Sequence, residues 1–240
     1  MAPLASKIKQ LLDLFVSSMA LIFLSPVIAL IAIAIKLDDG GPVFFIQPRV
    51  GKGRKSFSCY KFRTMVVGAE STGNGLTVTS DDARMTRVGH WLRVWSLDEI
   101  PQLVNVLKGE MSIIGPRPWV AAQAAYCSPA DTRRFDVRPG ISGWAVIHGR
   151  NRLSWADRIR LDVWYVDHWS FWLDVVIFTK TLVILLRRDL VYGAASAGGQ
   201  NNSENAIVSG NRKSSGTSDD RNSADDTVAV HGNITNQPVT

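Results

Sequence analysis

Cysteine is almost missing from this chain: Cys59 and Cys127 are the two among 240 residues. Two thiols build no disulfide framework, which agrees with a reducing compartment. Histidine is nearly as scarce, and His90, His148 and His168 share no ligand spacing, so no zinc site is expected. The G-x-x-x-x-G-K-[ST] phosphate loop occurs nowhere, and neither does an internal repeat, a helix-turn-helix, a zinc finger or an RNA-binding signature. Apolar periodicity is absent from residues 194–240, where Gly, Ser, Asn and Asp dominate. So little apolar surface cannot offset the ordering entropy, and residues 193–240 read as a disordered tail. The tail holds three basic and five acidic residues; with the whole chain at +6, the body carries +8. That balance points to an anionic partner: phosphates, nucleic acid or a membrane surface.

Charge is absent from one further stretch, the 22 residues from Leu14 to Ile35. As a helix they would span about 33 Å, enough to cross a bilayer. The run is too long for a signal peptide, and no small-x-small cleavage pattern follows it. Ser25-Pro26 falls at its midpoint, where proline deletes a hydrogen bond and bends the axis. Lys7 and Lys9 precede the run, and Lys36, Arg49, Lys52, Arg54, Lys55, Lys61 and Arg63 follow it. The positive-inside tendency puts both flanks in the cytoplasm. A re-entrant hairpin bending at Pro26 meets both observations; a kinked single span is the alternative.

What the chain does have is Ser96-Leu97-Asp98-Glu99-Ile100-Pro101-Gln102, followed by Gly115-Pro116-Arg117-Pro118. Two carboxylates sit at what reads as a helix start, where free N–H groups lower carboxylate pKa values and favour an ionised nucleophile or metal ligand. Ser96-x-x-Glu99 is equally a capping box, whose only task would be to start the helix. Pro101 fits a start near Asp98 better than one at Ser96. Leu103, Val106 and Leu107 give the helix a core face and Gly109 an end. Residues 43–46 and 57–60 read as short strands joined by Gly51–Lys55, the second delivering Lys61-Phe62-Arg63. A helix over 81–95 would bring Arg84, Arg87 and Arg93 to the carboxylates. Residues 135–151 are rich in Gly and Arg, either a connector or a loop that approaches phosphate closely. Ser154-x-x-Asp157 caps a helix to about His168, with Asp162 on its polar side. A last apolar helix opens near Ser170, and Trp155, Trp164, Trp169 and Trp172 read either as core or as an interfacial belt.

Taken in order, these blocks resemble a known family, the bacterial sugar transferases called monotopic polyprenyl-phosphate phosphoglycosyl transferases, over about residues 7–192. The blocks are the apolar run with Ser25-Pro26, Gly41-Pro42-Val43-Phe44-Phe45, Lys61-Phe62-Arg63-Thr64-Met65 and Asp82-x-Arg84-x-Thr86-Arg87. After them come Ser96-Leu97-Asp98-Glu99, Gly115-Pro116-Arg117-Pro118, Arg138-Pro139-Gly140 and Gly149-Arg150-Asn151. The resemblance implies a small, mixed, helix-rich α/β catalytic domain with an N-terminal re-entrant membrane helix and interfacial amphipathic helices. Its parts would be 1–37 (membrane helix), 38–192 (catalytic domain) and 193–240 (tail), with no extra N-terminal membrane domain. It further implies transfer of a sugar 1-phosphate from a UDP-sugar to polyprenyl (undecaprenyl) phosphate with release of UMP, the first membrane step of glycan or exopolysaccharide synthesis.

In that family's terms Asp98 is the nucleophile that carries the phosphosugar, and Glu99 is the second catalytic carboxylate and the Mg²⁺ ligand. Lys61, Arg63, Arg117, Arg138, Arg150 and Asp162 would bind phosphates or substrate. Asp174 matches a further acidic position. The implied partners are a UDP-sugar, a polyprenyl phosphate and a lipid bilayer, with no nucleic acid and a homodimer left open. The implied location is the cytoplasmic face of the bacterial inner membrane. Two positions depart from the pattern: Val146 stands where the family usually has Gln, and Ile100 replaces a common Leu. Segments 161–166 and 170–174 look closest to short enzymes that often use acetamido sugars. The +8 body would otherwise suit a membrane-tethered nucleic-acid-binding or signalling protein. A glycosyl transferase that releases UDP is the third reading.

Overall fold

The computed structural model describes residues 3–69, 82–125, 127–149 and 153–186. The polar loop at 71–80, Arg150 with its two following residues, and the 193–240 tail lie outside the described residues. The chain begins with a long helix, α1 (Pro3–Asp39), ended by Gly40 in the left-handed conformation that a helix stop favours. A hairpin follows, β1 (Phe44–Val50) and β2 (Ser56–Phe62), antiparallel with Phe45 opposite Lys61. Then come α2 (Arg87–Val94), a 3₁₀ turn Leu97–Glu99, α3 (Gln102–Leu107) and β3 (Ser112–Ile114). The remainder is α4 (Ala121–Ala125), a 3₁₀ segment Pro129–Phe135, β4 (Gly140–Ser142), α5 (Trp144–Ile147), α6 (Trp155–Asp167) and α7 (Phe171–Leu186). β3 and β4 pair in parallel, so the described residues form a mixed α/β fold with two small sheets among helices.

Several boundaries obey local rules. Thr86 caps α2 by accepting from Gly89 N, and Ser154 caps α6 by accepting from Asp157 N. The expected helix over 81–95 is shorter because Met85 pairs with Met65 as an isolated bridge, which delays helix entry to Arg87. α3 buries Val106 as expected but exposes Leu107. Its buried face instead carries Asn105, which accepts from Tyr60 N and donates to Ser58 O, lashing α3 to β2.

α1 is built inside out. Its inward stripe is polar at Lys9, Asp13 and Ser17, each less than a tenth exposed, while Phe15, Phe23 and Leu30 on the outside are 65–76% exposed. In water this arrangement would be unfavourable, because an apolar helix face is driven toward the core. The helical backbone continues through Pro26 rather than breaking there. The proline leaves Ile22 O without its usual donor, and Ser25 Oγ supplies one at 2.8 Å. α1 is long and apolar enough to cross a membrane.

Both ends of α1 are tied to the same body. Near the start, Lys9 Nζ donates to Asp174 Oδ2 (2.6 Å), Arg138 donates to Gln10 Oε1 (2.7 Å), and Asp13 accepts from Ser112 Oγ and Ile113 N. Near the end, Ile31 and Ile35 pack with Phe62 and Leu92, Asp38 accepts from Val88 N, and Asp39 pairs with Arg63. Asp174 is the hub of the first group, since it also accepts from Tyr165 Oη and Trp169 Nε1. That makes Asp174→Ala a severe change: it removes the ion-pair partner of a nearly buried Lys9 ammonium, orphans Trp169 Nε1 and leaves Tyr165 Oη only the longer bond to Ile114 O. The expected loss is about 3–5 kcal/mol of stability, read as a lowered unfolding midpoint in detergent micelles.

Candidate active site

Asp98 and Glu99 sit on the 3₁₀ turn, reached through Ser96, whose φ of +55° turns the chain sharply after α2. Ser96 makes no capping bond with its side chain, so the capping box does not form. α3 starts after Pro101, as the proline requires. Leu97 and Ile100, on either side of the carboxylates, pack into the cluster of Ile31, Ile35, Phe62 and Leu92. The pair is therefore pinned to the end of α1.

Two cations meet Glu99. Lys61 Nζ, brought in by β2, lies 2.8 Å from Glu99 Oε1 and 3.7 Å from Asp98 Oδ2. Arg117 Nη2, from the segment after β3, lies 2.9 Å from the same Glu99 oxygen. Burial pushes the Asp98 carboxyl above the ordinary aspartate range; Lys61 opposes this and Glu99 adds to it. The expected lowering at a helix start does not occur, because a three-residue 3₁₀ turn supplies little dipole and burial outweighs it. Glu99 in turn raises the pKa of Arg117. The result is a sheltered carboxylate beside a second one that is already bridged by two cations.

The other sequence-derived candidates disperse. Arg63 is buried and bonds to Asp39, Pro42 O and Met65 O, so its guanidinium locks the exit of α1. Arg138 is engaged by Gln10. Arg150 lies outside the described residues. Asp162 is not on a polar face: its carboxylate is 1% exposed and bonded to Arg134 Nη2 at 2.6 Å. Of the arginines expected from 81–95, Arg93 reaches Thr64 Oγ1 and acts electrostatically on Asp98, whereas Arg84 pairs with Asp82. Asn105 and Arg134 are not legible as functional residues in the sequence. A helical Asn and one Arg of a basic pair carry no signal until the partner strands and loops are in place.

The glycines of the 115–143 region serve backbone contact. A Cβ on Gly140 would lie 2.0 Å from Gly115 N, and one on Gly143 2.1 Å from Gly115 O. The Arg138-Pro139-Gly140 and Gly115-Pro116-Arg117 segments thus lie directly on each other, rather than leaving room for a ligand between them.

Among the described residues no three His, Cys, Asp or Glu side chains gather as a metal cage. Asp98 and Glu99 still suit Mg²⁺ by donor chemistry. They offer hard oxygens without thiol or imidazole, and this ion takes one or two carboxylates and fills its shell with phosphate oxygens and water.

A sheltered carboxylate pair facing lysine and arginine is an arrangement able to hold a phosphoryl group and balance its charge. Comparison with known proteins agrees: the family model for bacterial sugar transferases matches residues 4–188. The chain belongs to that family. An uncharacterized sugar transferase, EpsL, of Bacillus subtilis is 44% identical over 184 residues, which are 77% of this chain and 88% of that protein. A UDP-N-acetylgalactosamine-undecaprenyl-phosphate N-acetylgalactosaminephosphotransferase of Aeromonas hydrophila is 41% identical over 194 residues, 77% of this chain and 45% of the relative. An undecaprenyl-phosphate galactose phosphotransferase of Salmonella typhimurium is 38% identical over 200 residues, 77% of this chain and 42% of the relative. The chain thus spans less than half the length of the latter two.

Proposed function

We propose that this protein transfers a sugar 1-phosphate from a UDP-sugar to a polyprenyl phosphate such as undecaprenyl phosphate, through a phosphosugar carried on Asp98. The observation that carries the reading is Asp98 itself: a sheltered carboxylate 3.7 Å from Lys61, next to a Glu99 bound by both Lys61 and Arg117. The names of the two phosphotransferase relatives support the substrate classes. Those names specify different sugars, so the choice of sugar stays with the assay.

In the first half-reaction an Asp98 oxygen attacks the phosphorus that bears the sugar. The bond from that phosphorus to the bridging oxygen breaks, and UMP leaves with the electron pair. In the second, an oxygen of polyprenyl phosphate attacks the same phosphorus and the Asp98 carboxylate departs, regenerated. Lys61 and Arg117 hold the non-bridging oxygens and balance charge that spreads in the transition state. Glu99 would hold Mg²⁺, which supplies neutralisation of the diphosphate charge when bound. Incubation with a panel of UDP-sugars tests the scheme. UMP release that depends on added polyprenyl phosphate is expected; UDP as product would instead mean glycosyl transfer.

A prenyl chain is insoluble, so the site belongs at a bilayer surface. The inside-out α1 supports this, and α7 repeats the pattern: Asp174 and Ile177 turn inward while Trp172 and Leu186 are 74% and 80% exposed. Because α1 stays helical through Pro26 and both its ends bind one body, we read the helix as held against the cytoplasmic side of the inner membrane without crossing it. A Lys7→Cys variant in intact cells is therefore expected to resist an impermeant maleimide added outside and to react after lysis. Labelling from outside would mean a single span.

A further inference from the structure

The Gly115–Trp119 segment is fixed atom by atom. Pro116 and Pro118 restrict φ on either side of Arg117. Four successive carbonyls are then each gripped by a different donor. Gly140 N donates to Pro116 O (2.9 Å), Arg134 Nη2 to Arg117 O (2.9 Å), Arg49 Nη1 to Pro118 O (3.1 Å) and Val50 N to Trp119 O (2.7 Å). Two of these donors are backbone, and Arg49 comes from a strand edge. Arg134 is different, because it is a buried cation brought in for the purpose.

Arg134 is 3% exposed, and its guanidinium lies over the Trp119 ring at 3.5 Å. Its counter-charge is Asp162 from α6, with both side chains 1% exposed. As a stabilising device this pair is poor. Desolvating two charges can exceed their attraction, and apolar residues of similar volume often do as well or better. The Arg134 Nε is also buried without a hydrogen-bond partner among the described residues, which adds a further penalty. What an apolar pair could not do is donate to the carbonyl of Arg117.

We infer that Arg134 and Asp162 are positioning residues for the transfer reaction: the buried pair holds the main chain of Arg117 so that its guanidinium meets Glu99 and the phosphate. Arg134 Nη2 donates to both Asp162 Oδ2 and Arg117 O, so Asp162 balances and orients the guanidinium, and Arg117 reaches Glu99 from a main chain held at its carbonyl. Neither residue touches substrate. The inference rests on the phosphosugar-transfer reading of the Asp98 site. It reassigns Asp162 from substrate binding to the support of an arginine.

The test separates support of the fold from support of Arg117. Asp162→Asn alone leaves Arg134 buried with no counter-charge and is prone to misfold. The informative variant therefore replaces both residues, Arg134→Met with Asp162→Leu, and is made with and without Arg117→Ala. UMP release and the unfolding midpoint are measured for each in detergent. Wild type must release UMP; failure with every UDP-sugar tried would defeat the transfer reading and this inference with it. Given an active wild type, the apolar pair is expected to unfold at or above the wild-type midpoint yet lose at least about tenfold in kcat, since small displacements of a catalytic group are that damaging. Adding Arg117→Ala to the apolar pair should then lower the rate less than twofold below Arg117→Ala alone, because both changes remove one interaction. Full activity of the apolar pair, or losses that multiply with Arg117→Ala, would overturn the inference while leaving the transfer reading intact.

Discussion

Asp98→Asn is expected to abolish UMP release altogether, both the steady rate and any first-turnover burst. The amide keeps the shape of the side chain but is a feeble nucleophile toward phosphorus, so no phosphosugar can form on it. The fold should not suffer. Burial raises the Asp98 pKa, so the native state holds that proton more tightly than the unfolded chain does. Stability from this group is then lost as pH rises through the unfolded and folded values, and at neutral pH the ionised carboxylate is a burden on the native state. Replacing it with a neutral amide should leave the unfolding midpoint unchanged or higher. Loss of activity with full retention of structure separates a nucleophile from a structural carboxylate.

Glu99→Gln has the second largest expected effect. A single Glu99 oxygen accepts from Lys61 and Arg117 together. The amide could keep one acceptor, but it would remove the anion that both cations share and leave Asp98 as the carboxylate facing them. It would also remove a hard anionic ligand from the proposed Mg²⁺ site. The rate should fall by about 10²-fold or more, as follows when several kcal/mol of charge stabilisation disappear, and the dependence on added Mg²⁺ should flatten. A carboxylate whose task was only helix capping would behave differently. Its loss would cost about 0.5–2 kcal/mol of stability with activity intact in the folded fraction. The absent Ser96 cap already weakens that alternative. A rate titration against Mg²⁺ for both proteins decides the matter.

Where the causes were local, the fold could be read in advance. The β1–β2 hairpin, the Ser154 cap of α6 and the apolar α7 follow from turn chemistry, capping and composition within a few residues of where they act. The candidate site was legible only as motifs. Lys61, Asp98, Glu99 and Arg117 are far apart in sequence, and it is the folding of β2 and of the turn after α2 that brings them together. What stayed hidden was polar and long-range. Lys9, Asp13 and Ser17 fall on or beside an apolar run and look like its flank, yet they form the inward stripe of α1. Asp162 and Arg134 are ordinary surface residues by type, and only the packing of α6 on the Pro129–Phe135 segment buries them as a pair. Leu107 shows the converse: it has core character, but Asn105 takes the inward position because β2 offers it hydrogen-bond partners. For Lys9, Asp13, Asn105, Arg134 and Asp162, burial goes with a partner that the neighbouring sequence does not contain.

The most direct measurement is intact-protein and peptide mass spectrometry of the enzyme mixed with a turned-over UDP-sugar in the absence of polyprenyl phosphate and quenched rapidly. The account predicts one added sugar phosphate per active molecule, mapped to Asp98, formed with a matching burst of UMP and discharged when the lipid phosphate is supplied. An adduct on another residue, or steady UMP release by folded Asp98→Asn protein, would contradict it.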